Sequence, residues 1–397
     1  MTDTLRHGKN QDILDTTAGI AVKGKEGVLL MEAGENMSLT GATLSALGEE
    51  GSMILRAGKN LTMDTDSLEA KKDMTENRDN YIRTYRKTET ANTLTAGKDI
   101  TLTAGDSIHA RNTTIASEEG AITANAGKDL TFENGYNEAK DDYGLQYKES
   151  GFLSHKTTTI KSHDETKTAT GSLVSGDTVQ MEAGHTTTIT GSTIVGTQDV
   201  TLTSGNDTTI ESAEEKEQHT YDKQVKKSGL MGSGLGFTIG KEKRNDQYQE
   251  ADTLQKASTV GSLQGNVTVN ANKDIHIDAS DIMAGKDISM TGENVTITSK
   301  DNVYHSDEKH EYKKSGLTVS VGGATIDAIQ QVVEPITKAS QVKDKRLAGL
   351  YAVKAEQEID KQAKNYQDQK AAGTTKDNQL GGKNTFTLNV GLGTSHS

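Results

Sequence analysis

Short runs of alternating apolar and polar residues recur along the chain, and each run follows a turn that contains glycine or asparagine. In the segment 96–106, AGKDITLTAGD, Ile100 and Leu102 alternate with threonines between two turn signals. Alternation with a period of two places the apolar side chains on one face of a β-strand and the threonines on the other. Threonine is branched at Cβ and favours an extended backbone. The pattern predicts a short strand bounded by two turns.

Related runs recur at a nearly constant spacing. They begin at Ala33, Ala57, Ala126, Ala183, Ala271, Ala284 and Thr291. Gly105 and Gly127 are 22 residues apart and Gly184 and Gly205 are 21 residues apart, so the repeat is expected to hold two short strands. A strand with one apolar face cannot bury that face alone, but stacked copies can. The sequence therefore predicts an all-β fold, a parallel β-helix.

The residues in the turns between these runs are also interpretable. Glycine is expected to supply a positive backbone dihedral, and the Asp or Asn two residues later is expected to accept hydrogen bonds from nearby backbone amides. In 96–106 these residues are Gly97 and Asp99.

Four long charged segments interrupt the repeats. They lie near residues 64–93, 133–170, 211–259 and 300–316 and contain nine of the 11 tyrosines. Several tyrosines alternate, as Tyr81 and Tyr85 do, which is typical of a strand with one adhesive face. We predict β-hairpin arms that leave the β-helix, with the Ser-Gly pairs near a tip or bend. Disordered charged insertions remain the alternative, because Lys, Glu and Asp dominate these segments.

The pattern changes near the C-terminus. Apolar residues at 326, 329, 332, 333 and 336 follow helical spacing, as do later ones, so residues 324–372 are predicted to be a helical insertion. Pro335 is expected to kink or end a helix. Residues 381–397 return to strand patterning. The predicted organisation is a β-helix over 12–323, the insertion, and the start of a further β segment.

Composition and charge narrow the class of protein. Hydrophobic residues make up 32% of the chain and aromatic residues 4%, which fits a thin core. The chain has no cysteine, and this excludes disulfides and thiolate metal sites. A net charge of −13 argues against a nucleic-acid partner. We find no signal-peptide pattern and no apolar run of about 18 residues.

Candidate chemistry is sparse. The glycine-rich stretch 232–241 lacks the spacing of a phosphate-binding loop and is interpreted as a hairpin tip. The calcium-binding nonapeptide pattern is absent, which leaves only scattered calcium sites at corners as a hypothesis. His305 and His310 are five residues apart and should face opposite sides of a strand, while His276 should point to solvent.

Some β-helices are polysaccharide-degrading enzymes, so we also looked for a catalytic set. Such a site needs carboxylates or arginines clustered on several consecutive coils, and no recurring set of this kind is present. We nominate no catalytic, cofactor-binding or metal-ligating residue and expect no small-molecule substrate. The enzyme hypothesis remains the remote alternative.

Several motifs together resemble the hemagglutinin repeat region of filamentous hemagglutinin-like exoproteins and of contact-dependent growth inhibition toxin-delivery proteins. They are the stretch 12–24, Leu44–Gly48, Lys71–Asn77, the Lys-Ser-Gly-Leu turns, Gly236–Gly240, and Gly-Ser-Leu at 171 and at 261. The resemblance covers nearly the whole chain.

The resemblance implies a right-handed β-helix that is exported through the outer-membrane pore of a two-partner secretion system. It implies a secreted or cell-surface location as part of a parent exoprotein, and a target-cell surface or outer membrane as partner. The expected function is a non-enzymatic stalk segment for toxin delivery, and a passive adhesin shaft is the alternative. We find no secretion domain, pretoxin motif or toxin domain, and expect an internal fragment of a longer exoprotein.

Overall fold

The protein is described by a computed structural model. The structure describes residues 6–12, 18–151, 154–233, 236–314, 318–321 and 388–391, and within them every regular element is a strand. The chain divides into two compact units, and the second comprises 147–158, 224–245 and 310–397. The features below lie in the first unit unless stated otherwise.

Three parallel sheets of eight strands each form the walls of a β-helix. The first wall contains Gly19–Val22, Thr43–Ala46, Asn92–Ala96, Thr113–Ser117, Leu173–Gly176, Thr193–Gly196, Thr259–Ser262 and Asp281–Met283. The second wall contains Val28–Ala33, Ser52–Ala57, Ile100–Ala104, Ile122–Ala126, Val179–Ala183, Val200–Ser204, Val267–Ala271 and Ile288–Thr291. The third wall contains Met37–Thr40, Leu61–Asp64, Ile108–Arg111, Leu130–Glu133, Thr187–Thr190, Thr208–Glu211, Asp274–Asp278 and Asn294–Thr298.

A fourth sheet, the arm sheet, also has eight strands and is built from the charged segments. Its strands are Arg6–Gln11, Asp66–Asn77, Asn80–Thr90, Gly135–Gly151, Ser154–Thr170, Ala213–Ser233, Gly236–Lys256 and Val303–Lys314. In the second unit, Thr318–Val321 pairs antiparallel with Leu388–Gly391. The predicted β-helix with hairpin arms is confirmed. The helical insertion at 324–372 lies outside the described residues, and the domain boundaries stay predictions.

The repeat holds three strands, whereas the sequence predicted two. One coil crosses the first, second and third walls in turn, and Ile100 lies directly beside Ile122 in the next coil. Coils are stacked in register, so the inward side chains form columns. Ile100 and Leu102 are fully buried in these columns, as predicted, and Thr101 faces outward. Full burial of one such aliphatic side chain stabilises the fold by about 1.5–3 kcal/mol.

The corner glycines between the second and third walls are required for a different reason from the predicted one. Between the second and third walls, Gly58, Gly105, Gly127, Gly184 and Gly205 stack on one another, and a Cβ on any of them would clash with the carbonyl oxygen of the preceding glycine of the column. None of these glycines has a positive φ. The corner aspartates bond between coils: the Asp99 carboxylate accepts a hydrogen bond from the Ala121 amide at 2.8 Å.

Corners between the third and first walls alternate between two kinds. Four of them are tight turns with one residue at positive φ: Gly41, Asn112, Gly191 and Ala279. The other four open into arms, after Asp64, Glu133, Glu211 and Thr298. One hairpin of two strands therefore leaves the β-helix for every two coils. Because strands in any sheet are about 4.8 Å apart, this ratio lets the arm sheet advance at the same pitch as the walls.

Candidate interaction surface

The arm sheet has two faces that carry different side chains. Met74 lies opposite Ile82, which in turn lies opposite Tyr143. Directly opposite residues share a face, and side chains alternate between faces along a strand. This register places Leu68, Ala70, Met74, Ile82, Ala139 and Tyr143 on one face, which we call the apolar face although Lys72, Arg86 and Asp141 also lie on it. It defines the charged face by Glu69, Lys71, Asp73, Tyr81, Arg83, Tyr85, Lys140 and Asp142.

The charged face is held together by ion pairs within the arms. Lys71 pairs with Glu69 at 2.6 Å, and Lys140 of the second arm pairs with Glu165 at 2.7 Å. The hydrogen bond from Lys140 lowers the pKa of the Glu165 carboxyl below its ordinary value. His163 lies between Asp142, at 2.7 Å, and Glu165, at 3.6 Å. These side chains are between about one-third and just over one-half exposed. Solvent screens such pairs, so each contributes little to stability.

Tyrosines on the charged face lie beside cations. Arg83 is 4.6 Å from the centre of the Tyr81 ring, and Lys167 is 3.9 Å from that of Tyr136. Cation–π contacts at exposed sites contribute about 0.5–1 kcal/mol each. Tyr143 lies on the opposite, apolar face. The sequence predicted one adhesive face for each tyrosine-bearing strand, and the structure shows that these tyrosines are divided between the two faces of the sheet.

Polar side chains close the base of each hairpin. Asn92, Ser172 and Ser258 are each the second residue after the last strand of the first, second and third arms, and all three are buried. Each donates a hydrogen bond to the carbonyl of the last wall residue before its arm. The distances are 2.7 Å to Asp64, 2.9 Å to Glu133 and 2.6 Å to Glu211. Each arm therefore leaves and re-enters the β-helix at one fixed point.

A buried carboxylate joins the first two arms to the third wall. The Glu89 side chain is 3% exposed, and its Oε1 accepts a hydrogen bond from Arg111 at 2.7 Å. Its Oε2 accepts from the Thr65 hydroxyl at 3.0 Å. The Glu89 amide donates to the Asn137 side chain of the second arm at 3.0 Å. Glu89 thus fixes the second arm beside the first.

A second ionisable pair lies next to this junction between the arms and the third wall. The His109 ring contacts the Glu133 carboxylate at 3.1 Å, and both side chains are 37% exposed. The hydrogen bond that His109 donates to the Glu133 carboxylate raises the pKa of His109 and lowers the pKa of Glu133. Both residues lie on the outer surface of the third wall, so the pair joins two neighbouring coils beside the second arm.

A groove of about 340 Å³ crosses several arms. Its lining includes Tyr81, Lys161, His163, Asp222 and Gln247. Small-molecule pockets are predominantly apolar with a few placed polar groups. The mixed charges and open polar lining of this groove do not match that description.

The glycine-rich stretch and the Ser-Gly pairs lie at separate places in the structure. The stretch 232–241 includes the end of Ala213–Ser233 and the start of Gly236–Lys256, which are neighbours in the arm sheet. Residues 234–235 lie outside the described residues, so the hairpin tip stays a prediction. Gly151 ends its arm strand, as predicted for the first Ser-Gly pair, whereas Gly229 lies inside a strand of the second unit with a φ of 105°. The last Ser-Gly pair, 315–316, lies outside the described residues.

The histidines are likewise dispersed. His276 faces outward beside Thr209 and Thr296, as predicted, and His305 and His310 both belong to the strand Val303–Lys314. In the described part of the chain, no group of three or more His, Asp or Glu side chains could hold a metal ion. The same residues include no helix long and apolar enough to cross a membrane.

Sequence reasoning missed the residues that join the arms to the β-helix, which we call the arm roots. Glu89 and Arg111 are 22 residues apart and belong to different elements, and no local pattern links them. Asn92, Ser172 and Ser258 lie at or just after the C-terminal ends of the charged segments, which is the one signal that could have identified them.

Comparisons with known proteins agree with this architecture. A family model described as hemagglutinin repeat matches residues 74–143 and 153–316. A tRNA nuclease CdiA of Escherichia coli is 40% identical over 239 residues, which is 59% of this chain and 7% of that protein. A 16S rRNA endonuclease CdiA of Enterobacter cloacae is 41% identical over 238 residues, 58% of this chain and 7% of that protein. A toxin CdiA of Escherichia coli is 37% identical over 270 residues, 66% of this chain and 8% of that protein. No solved structure matches the chain.

Proposed function

Because the chain belongs to the hemagglutinin repeat family, we propose that it is a stalk segment of a bacterial surface exoprotein that delivers a toxin on cell contact. The observation that carries the proposal is the extent of the matches: they cover the repeats of relatives named as toxins or nucleases. The chain spans less than a tenth of the length of those relatives. We place the nuclease activity named for them outside this segment.

The arms belong to the functional unit in this proposal. The family match covers residues 74–143 and 153–316, so it includes both arms and coils. We infer that the parent protein leaves the cell through a two-partner secretion pore and contacts the target-cell surface. The coils supply reach, and the arm sheet supplies a continuous surface that moves with the stalk.

Two variants of the full-length exoprotein separate this role from that of a passive adhesin shaft. In the first, residues 212–257 are replaced by one glycine, so that Glu211-Gly-Ser258 reproduces the tight corner Thr190-Gly191-Ser192. The second variant lacks residues 172–257, which removes two coils and one arm and joins Gly171 to Ser258 at equivalent positions. The first variant breaks the arm sheet and keeps all coils. The second shortens the stalk by only about 10 Å and keeps the arm sheet continuous.

We expect the first variant to attach to target cells and fail to deliver toxin, and the second to deliver. Attachment and target-cell killing are scored in the same co-culture, with surface display checked by antibody. Delivery by both variants would show that the arms are dispensable and would favour the passive shaft. Loss of attachment in the first variant alone would also contradict the proposal.

A further inference from the structure

Neighbouring arms meet at three junctions that share one hydrogen bond. At each junction, the strand that re-enters the β-helix donates a backbone amide to a side chain of the strand that leaves it next. The donors are Glu89, Ala169 and Gln255, and the acceptors are Asn137, Glu215 and Asn302, at 3.0, 2.9 and 2.8 Å. Every donor lies three residues before the buried side chain that closes its arm, and every acceptor lies four residues after the last wall residue. The positions at the three junctions are therefore equivalent.

The first junction differs from the other two because it buries a charge. The Glu89 side chain is 3% exposed. Arg111 and the Thr65 hydroxyl donate hydrogen bonds to its carboxylate at 2.7 and 3.0 Å. The equivalent residues at the second and third junctions are Ala169 and Gln255, which carry no charge. A buried carboxylate is stable only while such partners remain in place, so the first junction has the strictest geometric requirement.

The opposing strand leaves space for this carboxylate. Gly135 lies two residues after the last wall residue before the second arm, and a Cβ on it would overlap Oε2 of Glu89. Gly135 does not have a positive φ, so glycine is needed here for space. At the second junction the equivalent residue is Ala213, which is buried, as Ala169 is. Glu89 with Gly135 and Ala169 with Ala213 are thus two different fillings of equivalent positions.

The strands themselves specify the register between the first and second arms only weakly. Their described ladder runs from Glu138 opposite Lys87 to Gly144 opposite Tyr81, which is seven pairs. Residues 91–134, two coils of the β-helix, separate the two strands, so no hairpin turn sets their register. Both faces of the arm sheet carry charged side chains, and a slip of two residues leaves every side chain on its own face. Burial of one face therefore does not select the native register.

We propose that Glu89 and Gly135 form a register lock between the first and second arms. In the native register the carboxylate occupies the space that Gly135 leaves open. A slip of two residues would bring Glu133 or Asn137 to this point, and each has a Cβ where only glycine fits. The displaced carboxylate would then leave Arg111 without its partner. Buried polar groups fix the register of coiled coils in a comparable way.

A coupling experiment on the 397-residue chain tests the fit between the two residues. Gly135→Ala places a methyl group against the carboxylate, and Glu89→Ala leaves Arg111 unpaired. Each should lower the midpoint of thermal unfolding by about 2–6 °C. The triple variant Glu89→Ala/Gly135→Ala/Arg111→Thr installs the residues of the second junction, which are Ala169, Ala213 and Thr190. It should regain more than half of the summed loss, and losses that simply add would overturn the proposed fit.

Cysteine pairs report the register itself, because the chain has no cysteine of its own. Lys87 and Glu138 lie directly opposite each other, so Lys87→Cys/Glu138→Cys should form a disulfide in the native register. Lys140 is two positions further along, which places its Cα about 8 Å from that of Lys87. Disulfides do not bridge Cα atoms more than about 7 Å apart. Lys87→Cys/Lys140→Cys should therefore form a disulfide only after a slip.

Glu89→Ala is then introduced beside each cysteine pair, with oxidation in a glutathione buffer and circular dichroism to confirm folding. It should raise the yield of the 87–140 disulfide at least tenfold over that of the chain with Glu89. Glu89→Ala/Arg111→Thr, which leaves no unpaired cation, replaces it if the single variant does not fold. Glu49→Ala, at a largely exposed ion pair, should leave the yield unchanged. An 87–140 disulfide in the chain with Glu89, or none after its removal, would overturn the proposal.

Discussion

The walls and the arm sheet use the same strand spacing but are stabilised in different ways. Inward side chains of the walls, such as Leu55, Leu102 and Leu202, are fully buried in columns. The arm sheet has no comparable core among the described residues, and Ile82 on its apolar face is 42% exposed. Apolar burial holds the walls, whereas ion pairs, cation–π contacts and cross-strand pairs hold the arms.

This difference determines how each region responds to its surroundings. A buried column of aliphatic side chains is not weakened by electrostatic screening, and it is covered by the coils above and below it. The arm sheet depends on many contacts of about 0.2–1 kcal/mol each, most of them partly exposed and therefore screened by salt. The walls are thus expected to be more stable than the arm sheet, and their stability is expected to depend less on salt. The following predictions test this contrast, from the largest expected effect to the smallest.

Truncating a buried wall residue should lower the free energy of unfolding far more than truncating an apolar arm residue. Phe132→Ala removes a fully buried ring from the third wall and should lower the free energy of unfolding by about 3–5 kcal/mol. Ile82→Ala acts on a 42% exposed side chain and should cost less than about 1 kcal/mol. Denaturant titration of both variants measures the difference, and equal losses would show that the arm sheet has a core of its own.

Removing the buried carboxylate at the arm root should have the next largest effect. Glu89→Ala leaves Arg111 without its partner and should cost about 2–3 kcal/mol. Hydrogen exchange should accelerate first in the strand Asn80–Thr90 and its neighbour Gly135–Gly151. The matched control is Glu49→Ala, which breaks a pair between two largely exposed side chains with Lys25 and should have no measurable effect. Unchanged exchange in both arms would contradict the proposed role of Glu89.

The stacked glycines offer an internal control. Gly105→Ala introduces a Cβ against the carbonyl oxygen of Gly58 and should cost about 1–3 kcal/mol, because the neighbouring coil must shift. Gly34→Ala occupies the first position of the same column, where a Cβ meets open space, and should be neutral within about 0.5 kcal/mol. A similar loss of stability in both variants would indicate that these positions need glycine for its backbone conformation. Thermal unfolding distinguishes the two outcomes.

The smallest effect concerns pH. The pKa of His109 is raised by Glu133, so its contribution to stability is complete below the unfolded pKa of about 6.5 and is lost as pH rises through the folded value. The pKa of Glu133 is lowered, so its contribution is present above about 4.3 and is lost as pH falls further. The pair therefore stabilises most at about pH 5–6.

His109→Thr copies the residue found beside it in the column, Thr131, and should reduce stability by about 0.5 kcal/mol at pH 5.5. The reduction should shrink by pH 9, where the ring of the parent protein is neutral. Glu133→Gln should give the same pH profile, and the double variant should show no further loss. A reduction that is constant between pH 5.5 and pH 9 would exclude the charged pair as its cause.

Local alternation was sufficient to assign the individual strands. Ile100 and Leu102 face the core and Thr101 faces outward because side-chain direction in a strand depends only on position along the chain. The charged segments could also be assigned as hairpins, because their tyrosines and apolar residues alternate. The stacking of repeats followed from the apolar face that each strand cannot bury alone.

Two identical three-residue motifs show what sequence reasoning could not resolve. Gly-Ser-Leu occurs at 171 and at 261, yet Ser172 closes the base of the second arm and Ser262 binds Gln198 and Gly265 at another corner. The role of each serine depends on which chain segments surround it. A three-residue match carries no information about those segments.

The sequence by itself determined the strands, their inward and outward faces, the repeat and the positions of the arms, because these follow from contacts between residues close along the chain. Only the tertiary structure showed that a coil has three strands and that corner glycines are needed for close approach between coils. It also showed that one arm for every two coils keeps four sheets at one pitch. Those properties depend on contacts between residues 20 or more positions apart, such as Ala42 with Asn92, and local patterning does not specify them.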